Sequence, residues 1–86
     1  MGKSAGDIEQ EIRTFLRKHH PAQAETIDAV PAAEMIWNIV DSLTLLDLIE
    51  YLEGLYQIEV GPADMTPENF ESIERIVAFV GAKANG

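Results

Sequence analysis

The stretch Asp41-Ser42-Leu43-Thr44-Leu45-Leu46-Asp47-Leu48-Ile49-Glu50-Tyr51-Leu52-Glu53-Gly54-Leu55-Tyr56 decides the reading of this chain. At the roughly 100° per residue of an α-helix, Leu45, Leu48, Ile49, Leu52, Leu55 and Tyr56 gather on one side and predict a core face. Asp47, Glu50 and Glu53 gather on the opposite side. Leu43 and Leu46 fall among those carboxylates, apart from the other leucines, so both are expected to be exposed beside Ser42. One exposed leucine is ordinary. A pair next to a helix-opening serine fits a contact patch better. A serine at that place also commonly caps the helix by accepting a bond from a free backbone N–H, and that reading stays open.

Upstream, Ile8, Ile12, Phe15 and Leu16 form one apolar stripe and predict a helix from about Asp7 to His20. Its acids lie in the first turn and Arg17, Lys18, His19 and His20 in the last, the order that complements a helix dipole. Pro21 stops it. From Pro21 to Val40 no period is sustained, yet the segment holds Ile27, Val30, Met35, Ile36, Trp37, Ile39 and Val40. A long ordered loop is expected, with one helical turn near Ala32 to Trp37. Trp37 is expected to anchor that loop in the core; a contact with a bound group is the other reading.

Downstream, Ile58 and Val60 alternate with Glu59 and are expected to tuck beside the core. Thr66-Pro67 opens a short helix to about Phe70. Ser72 then caps a last helix carrying Ile73, Ile76, Val77 and Val80, with Gly81 as its stop. The expected fold is all-α: a small irregular four-helix bundle of three main helices and one short one, with a long first loop. One domain is expected over residues 1–86, with an ordered core at about 7–81 and fraying at Met1 to Gly6 and Ala82 to Gly86.

Charge is distributed unevenly. From His19 through Glu74 there is no Lys or Arg, and twelve of the fifteen acidic residues lie in that stretch. Such a field repels nucleic-acid phosphates and anionic membranes and steers encounters with basic protein surfaces. The chain has no cysteine, hence no disulfide and no thiolate metal site. Its N-terminus is too short and polar for a signal peptide, and no run approaches a membrane span, so a cytoplasmic address is expected.

Catalysis has little support. His19 and His20 are neighbours on a helix end, point about 100° apart and cannot face one site; they are expected to complement the helix C-terminus. There is no serine with a plausible His/Asp pair, no Gly-rich phosphate loop and no metal-ligand cluster. The chain is therefore expected not to be an enzyme.

Asp41-Ser42-Leu43, opening the second main helix after a long loop, resembles the attachment motif of the acyl carrier and peptidyl carrier proteins. The downstream Ile58-Glu59-Val60 and Glu68-Asn69-Phe70-Glu71-Ser72-Ile73 are also similar to that family, closest to its free-standing aminoacyl, peptidyl and D-alanyl carriers. The resemblance spans roughly Ile8 to Val80. It implies that Ser42 carries 4′-phosphopantetheine, with Asp41 and Leu43 as part of the attachment site. Leu43, Leu46, Asp47, Glu50 and Glu53 would then form a partner-docking face. The implied partners are a phosphopantetheinyl transferase and acyl- or aminoacyl-adenylate-forming ligases or synthases with basic docking surfaces, meeting a monomeric carrier. The cargo could be fatty acyl, polyketide, amino acid or D-alanine. The chain departs from the family in reading Asn38-Ile39-Val40 where many members have Leu-Gly-x. An unmodified acidic helical adaptor for a basic partner is the alternative.

Overall fold

The computed structural model describes residues 4–85. Five α-helices follow in order: α1 (Ala5–His19), α2 (Ala24–Ala29), α3 (Ser42–Tyr56), α4 (Pro67–Phe70) and α5 (Ile73–Asn85), with single 3-10 turns at Pro21–Gln23 and Pro62–Asp64. The architecture is the expected small all-α bundle, with no strand among the described residues. No helix among them is long and apolar enough to cross a membrane.

α1 packs against α5, α2 and α3 and so forms the spine of the bundle. Its Ile8, Ile12 and Leu16 meet Leu45, Leu48, Ile49 and Leu52 of α3 and Ile73, Ile76 and Val80 of α5 in one buried cluster. The hydrophobic effect drives this assembly, because each helix has one apolar stripe to remove from water. Ile58 and Val60 pack partly buried against the cluster, as their alternation predicts.

Four expectations change. The first helix begins earlier, because Ser4 caps it by accepting from the Asp7 N–H at 3.2 Å; residues 4–6 thus belong to ordered structure rather than to a frayed end. The expected fraying of Met1 to Lys3 and Gly86 lies outside the described residues. In the long loop the helix forms at Ala24–Ala29, while Ala32 to Trp37 makes only turns. Ile27 alone is buried on α2, too thin a stripe to show as periodicity. What holds α2 is tertiary: Arg13 Nη1 donates to the Ile27 carbonyl at 2.6 Å, and Arg17 pairs with Asp28. Both arginines come from α1, and a guanidinium on the last carbonyls of a helix satisfies acceptors that the helix itself leaves open.

Leu55, expected in the core, is 43 % exposed: it lies at the edge of the buried arc in the last turn of α3, just before Gln57 ends the helix in the left-handed conformation. Gly81, expected as a stop, lies inside α5, which continues to Asn85. Lys83 holds this last stretch, reaching Asp64 at 3.0 Å and lying 5.7 Å from the Phe79 ring centre. Apart from its chain neighbours and its own helix backbone, a Cβ at Gly81 would meet no atom within 4 Å. Gly81→Ala is therefore expected to stabilise the protein by roughly 0.5–1 kcal/mol, read as a raised midpoint in thermal unfolding. A lowered midpoint would contradict helix continuity there.

The loop between α2 and α3 is strapped to the α4–α5 junction. Ile36 N–H donates to the Glu71 carbonyl at 2.9 Å, and the Ala32 carbonyl accepts from Glu74 N–H at 2.8 Å. Met35 and buried Ser72 form an isolated antiparallel bridge between these segments. Ile36 and Val40 are buried, and Val40 N–H closes back on the Ile36 carbonyl at 3.0 Å. Each bond turns a backbone group that would otherwise be buried unpaired into a fixed support. The chain therefore reaches Asp41 with its direction fixed.

Candidate functional site

Asp41, not Ser42, caps α3. Its backbone is extended and its Oδ1 accepts from the Thr44 N–H at 2.8 Å. The Thr44 N–H and then the Thr44 hydroxyl hold the Asp41 carboxyl below the usual carboxylate range, with a smaller contribution from the charge of His20. Ser42 is the first helical residue. It is exposed, and no hydrogen bond of its hydroxyl is seen among the described residues.

The chain has three serines. Ser4 accepts from Asp7 N–H, and Ser72 is buried and accepts from Arg75 N–H at 3.2 Å, so both cap helices. The cap at α3 has gone to the neighbouring aspartate. Ser42 thus presents a hydroxyl at a helix N-terminus, whose open N–H groups and positive dipole end suit an anionic substituent.

Behind Ser42 the first turn of α3 is tied to α1. Thr44 is 8 % exposed, and its Oγ1 lies 3.0 Å from His20 Nε2. His20 is itself the C-cap of α1, its backbone N–H bonded to the Leu16 carbonyl. The adjacent His19 turns elsewhere, stacking on Phe15 at 4.0 Å between ring centres, with Nδ1 3.1 Å from the Phe15 carbonyl. The two histidines do diverge, as neighbours on a helix must. The link from His20 to Thr44 had no signal in the sequence, because it depends on where α1 ends relative to α3.

Beside Ser42, Leu43 is 69 % and Leu46 48 % exposed, as expected, and Asp47 and Glu50 are exposed with them. Glu53 differs. It is half-buried and its Oε2 accepts from Val60 N–H at 3.0 Å, so it ties down the turn after α3. The exposed acidic face is thus Asp47 and Glu50 around two leucines.

Trp37 is a correction as well. It is 36 % exposed and stands on the rim rather than in the core. With Leu45, Met65, Thr66, Pro67 and Phe70 it lines a cleft of about 150 Å³. The bonds of Ile36 and Val40 anchor the loop, which leaves Trp37 free to face outward.

No group of three or more metal-ligating side chains occurs among the described residues.

Compared with known proteins, the chain is 35 % identical over 43 residues to "Probable acyl carrier protein PigG" of Serratia sp. (strain ATCC 39006). The match covers 50 % of this chain and 49 % of the relative, so the chain spans about half the length of the curated protein it matches. No family model matches, and no solved structure matches. PigG is itself a probable acyl carrier protein, and the all-α bundle is the fold class that the resemblance implied.

Proposed function

We propose that the chain, as a single domain over residues 1–86, belongs with the acyl carrier proteins and is a non-catalytic carrier with 4′-phosphopantetheine on Ser42, a reading supported by the likeness to PigG. The observation that carries the reading is the exposed Ser42 hydroxyl, spared from capping by Asp41. The residues present fit the group: Ser42 offers the oxygen for a phosphodiester, and the start of α3 offers backbone N–H groups to the anionic linkage. When attached, the arm supplies a thiol that holds acyl or aminoacyl groups as thioesters. Asp41 keeps the first turn formed and remains ionised, contributing to the surface a transferase and its metal would meet.

Leu43, Leu46, Asp47 and Glu50 form the docking face: two apolar anchors inside a negative rim. A basic enzyme surface is the complementary partner, with charge governing encounter and the leucines governing dwell time. Glu53 acts as a support for the turn rather than as a contact.

The test of the function is mass. The protein is incubated with coenzyme A and a broad-specificity phosphopantetheinyl transferase, and the intact mass is expected to rise by one arm. An unchanged mass would favour the unmodified adaptor. Screening adenylate-forming ligases against the arm-bearing protein then identifies the cargo. For the docking face, Glu50→Lys and Leu43→Ala are each expected to raise the transferase KM severalfold with the thermal midpoint unchanged. The Glu50 effect should shrink as salt is added, because an exposed charge is screened within a Debye length of about 8 Å at physiological ionic strength. Unchanged kinetics at low salt would remove this face from the site.

A further inference from the structure

The junction between the end of α1 and the start of α3 places an imidazole against the turn that presents Ser42. Thr44 is the third residue of α3 and is buried, at 8 % exposure. A buried hydroxyl needs a partner. Within a helix the usual choice is the carbonyl four residues back, a bond that bends the helix. Here, besides the neighbouring Asp41 carboxyl, a partner comes from another element: His20 Nε2, at 3.0 Å. The same residue's N–H is held by Asp41 at 2.8 Å. Asp41 grips the turn from the chain before it and His20 grips it from α1, with Ser42 lying between Asp41 and Thr44 in the chain.

Resting on the carrier reading above, we propose that His20 is a positioning residue for modification of Ser42. It acts through Thr44 to hold the first turn of α3, and hence the Ser42 oxygen, in one orientation. In the transfer the Ser42 oxygen bonds to the phosphorus bearing the pantetheine arm, and the pyrophosphate linkage of coenzyme A breaks. Adenosine 3′,5′-bisphosphate leaves, and the hydroxyl proton passes to a base of the transferase. His20 takes no part in these bond changes. Its role is geometric: a reacting oxygen misplaced by about 1 Å can lower a rate by up to 10²-fold. A frayed first turn would misplace it so.

Four proteins test this, each with coenzyme A and a phosphopantetheinyl transferase: His20→Ala, His20→Gln, Thr44→Val and the double variant His20→Ala/Thr44→Val. Arm addition is followed by mass, below the thermal midpoint of every variant. His20→Ala is expected to lower kcat on the order of tenfold while KM for the carrier stays within about twofold, since the docking side chains are untouched. Amide exchange at Thr44 should quicken in parallel. Gln, whose side-chain N–H₂ can reach the same hydroxyl, should recover most of the rate. Thr44→Val, which also removes the hydroxyl's bond to Asp41, should lose at least as much as His20→Ala, and the double variant should lose no more than Thr44→Val alone.

Additive losses, a change in KM alone, or an unaltered kcat would each overturn the proposal while leaving the carrier reading intact. If His20→Ala does not fold, Thr44→Val against wild type decides on the same criteria. A wild-type protein that accepts no arm overturns both readings together.

Discussion

Ser42→Ala is expected to abolish arm addition completely while leaving the thermal midpoint close to that of the wild type. Both halves follow from the division of labour at the start of α3. The hydroxyl is the exposed one in the first turn of α3, where Thr44 is buried and engaged, so its loss cannot be partly compensated. Ser4 and Ser72 are not substitutes, since each hydroxyl caps a helix and Ser72 is buried. The stability half separates this structure from the simpler view of Ser42 as an N-cap. Removing a capping serine costs about 0.5–2 kcal/mol. At the first helical position, with Asp41 as the cap, the change exchanges an exposed hydroxyl for the best helix former. Intact-mass measurement and thermal unfolding of the same pair of proteins check both statements. A drop of several degrees in Ser42→Ala would show that the hydroxyl is structural, and residual arm addition would place the attachment elsewhere.

Leu48→Ala should have the largest effect on stability. Leu48 is fully buried at the centre of the α3 stripe, among the side chains of one continuous cluster. Truncating a buried leucine removes its transfer free energy and leaves a cavity, together about 2–5 kcal/mol. A domain of this size has only a few kcal/mol of net stability, so the variant should be largely unfolded at moderate temperature. In a domain of this length about 1 kcal/mol shifts the midpoint by roughly 4–8 °C, so a fall of at least about 8 °C is expected. Leu43→Ala, five residues earlier on the same helix, should shift the midpoint little, as exposed substitutions usually stay within about 0.5 kcal/mol. Thermal and urea unfolding of the two variants side by side measure the contrast. Equal losses would mean that α3 is rotated from the orientation described.

That contrast was legible in the order of residues. A helix places residues at a fixed angular step, so Leu45, Leu48, Ile49 and Leu52 had to share one face and Leu43 and Leu46 another, whatever surrounded them. The same regularity marked the apolar stripes of α1 and α5, the start of α4 at Pro67, the all-α class, and Ser42 with its acidic neighbours. Local rules also placed Ser72 as a cap, because a side chain reaching three residues along its own chain needs no help from the rest of the fold.

What escaped was set by contacts between elements distant in sequence. α2 exists because Arg13 and Arg17 reach it from α1, α5 outlasts Gly81 while Lys83 pairs with Asp64, and Glu53 turns from the acidic face to hold Val60. Trp37 faces out because backbone bonds, not its ring, anchor the loop. Periodicity carries the energy of burying a stripe but says nothing of where a guanidinium, an ammonium or an imidazole will find its partner. The sequence by itself therefore determined that an amphipathic helix follows Asp41 and that Ser42 opens it beside two outward leucines. Only the tertiary structure decided where α2 forms, that Glu53 leaves the acidic face for Val60, and that His20 meets Thr44 in the turn presenting Ser42, because each depends on contacts between segments apart in the chain.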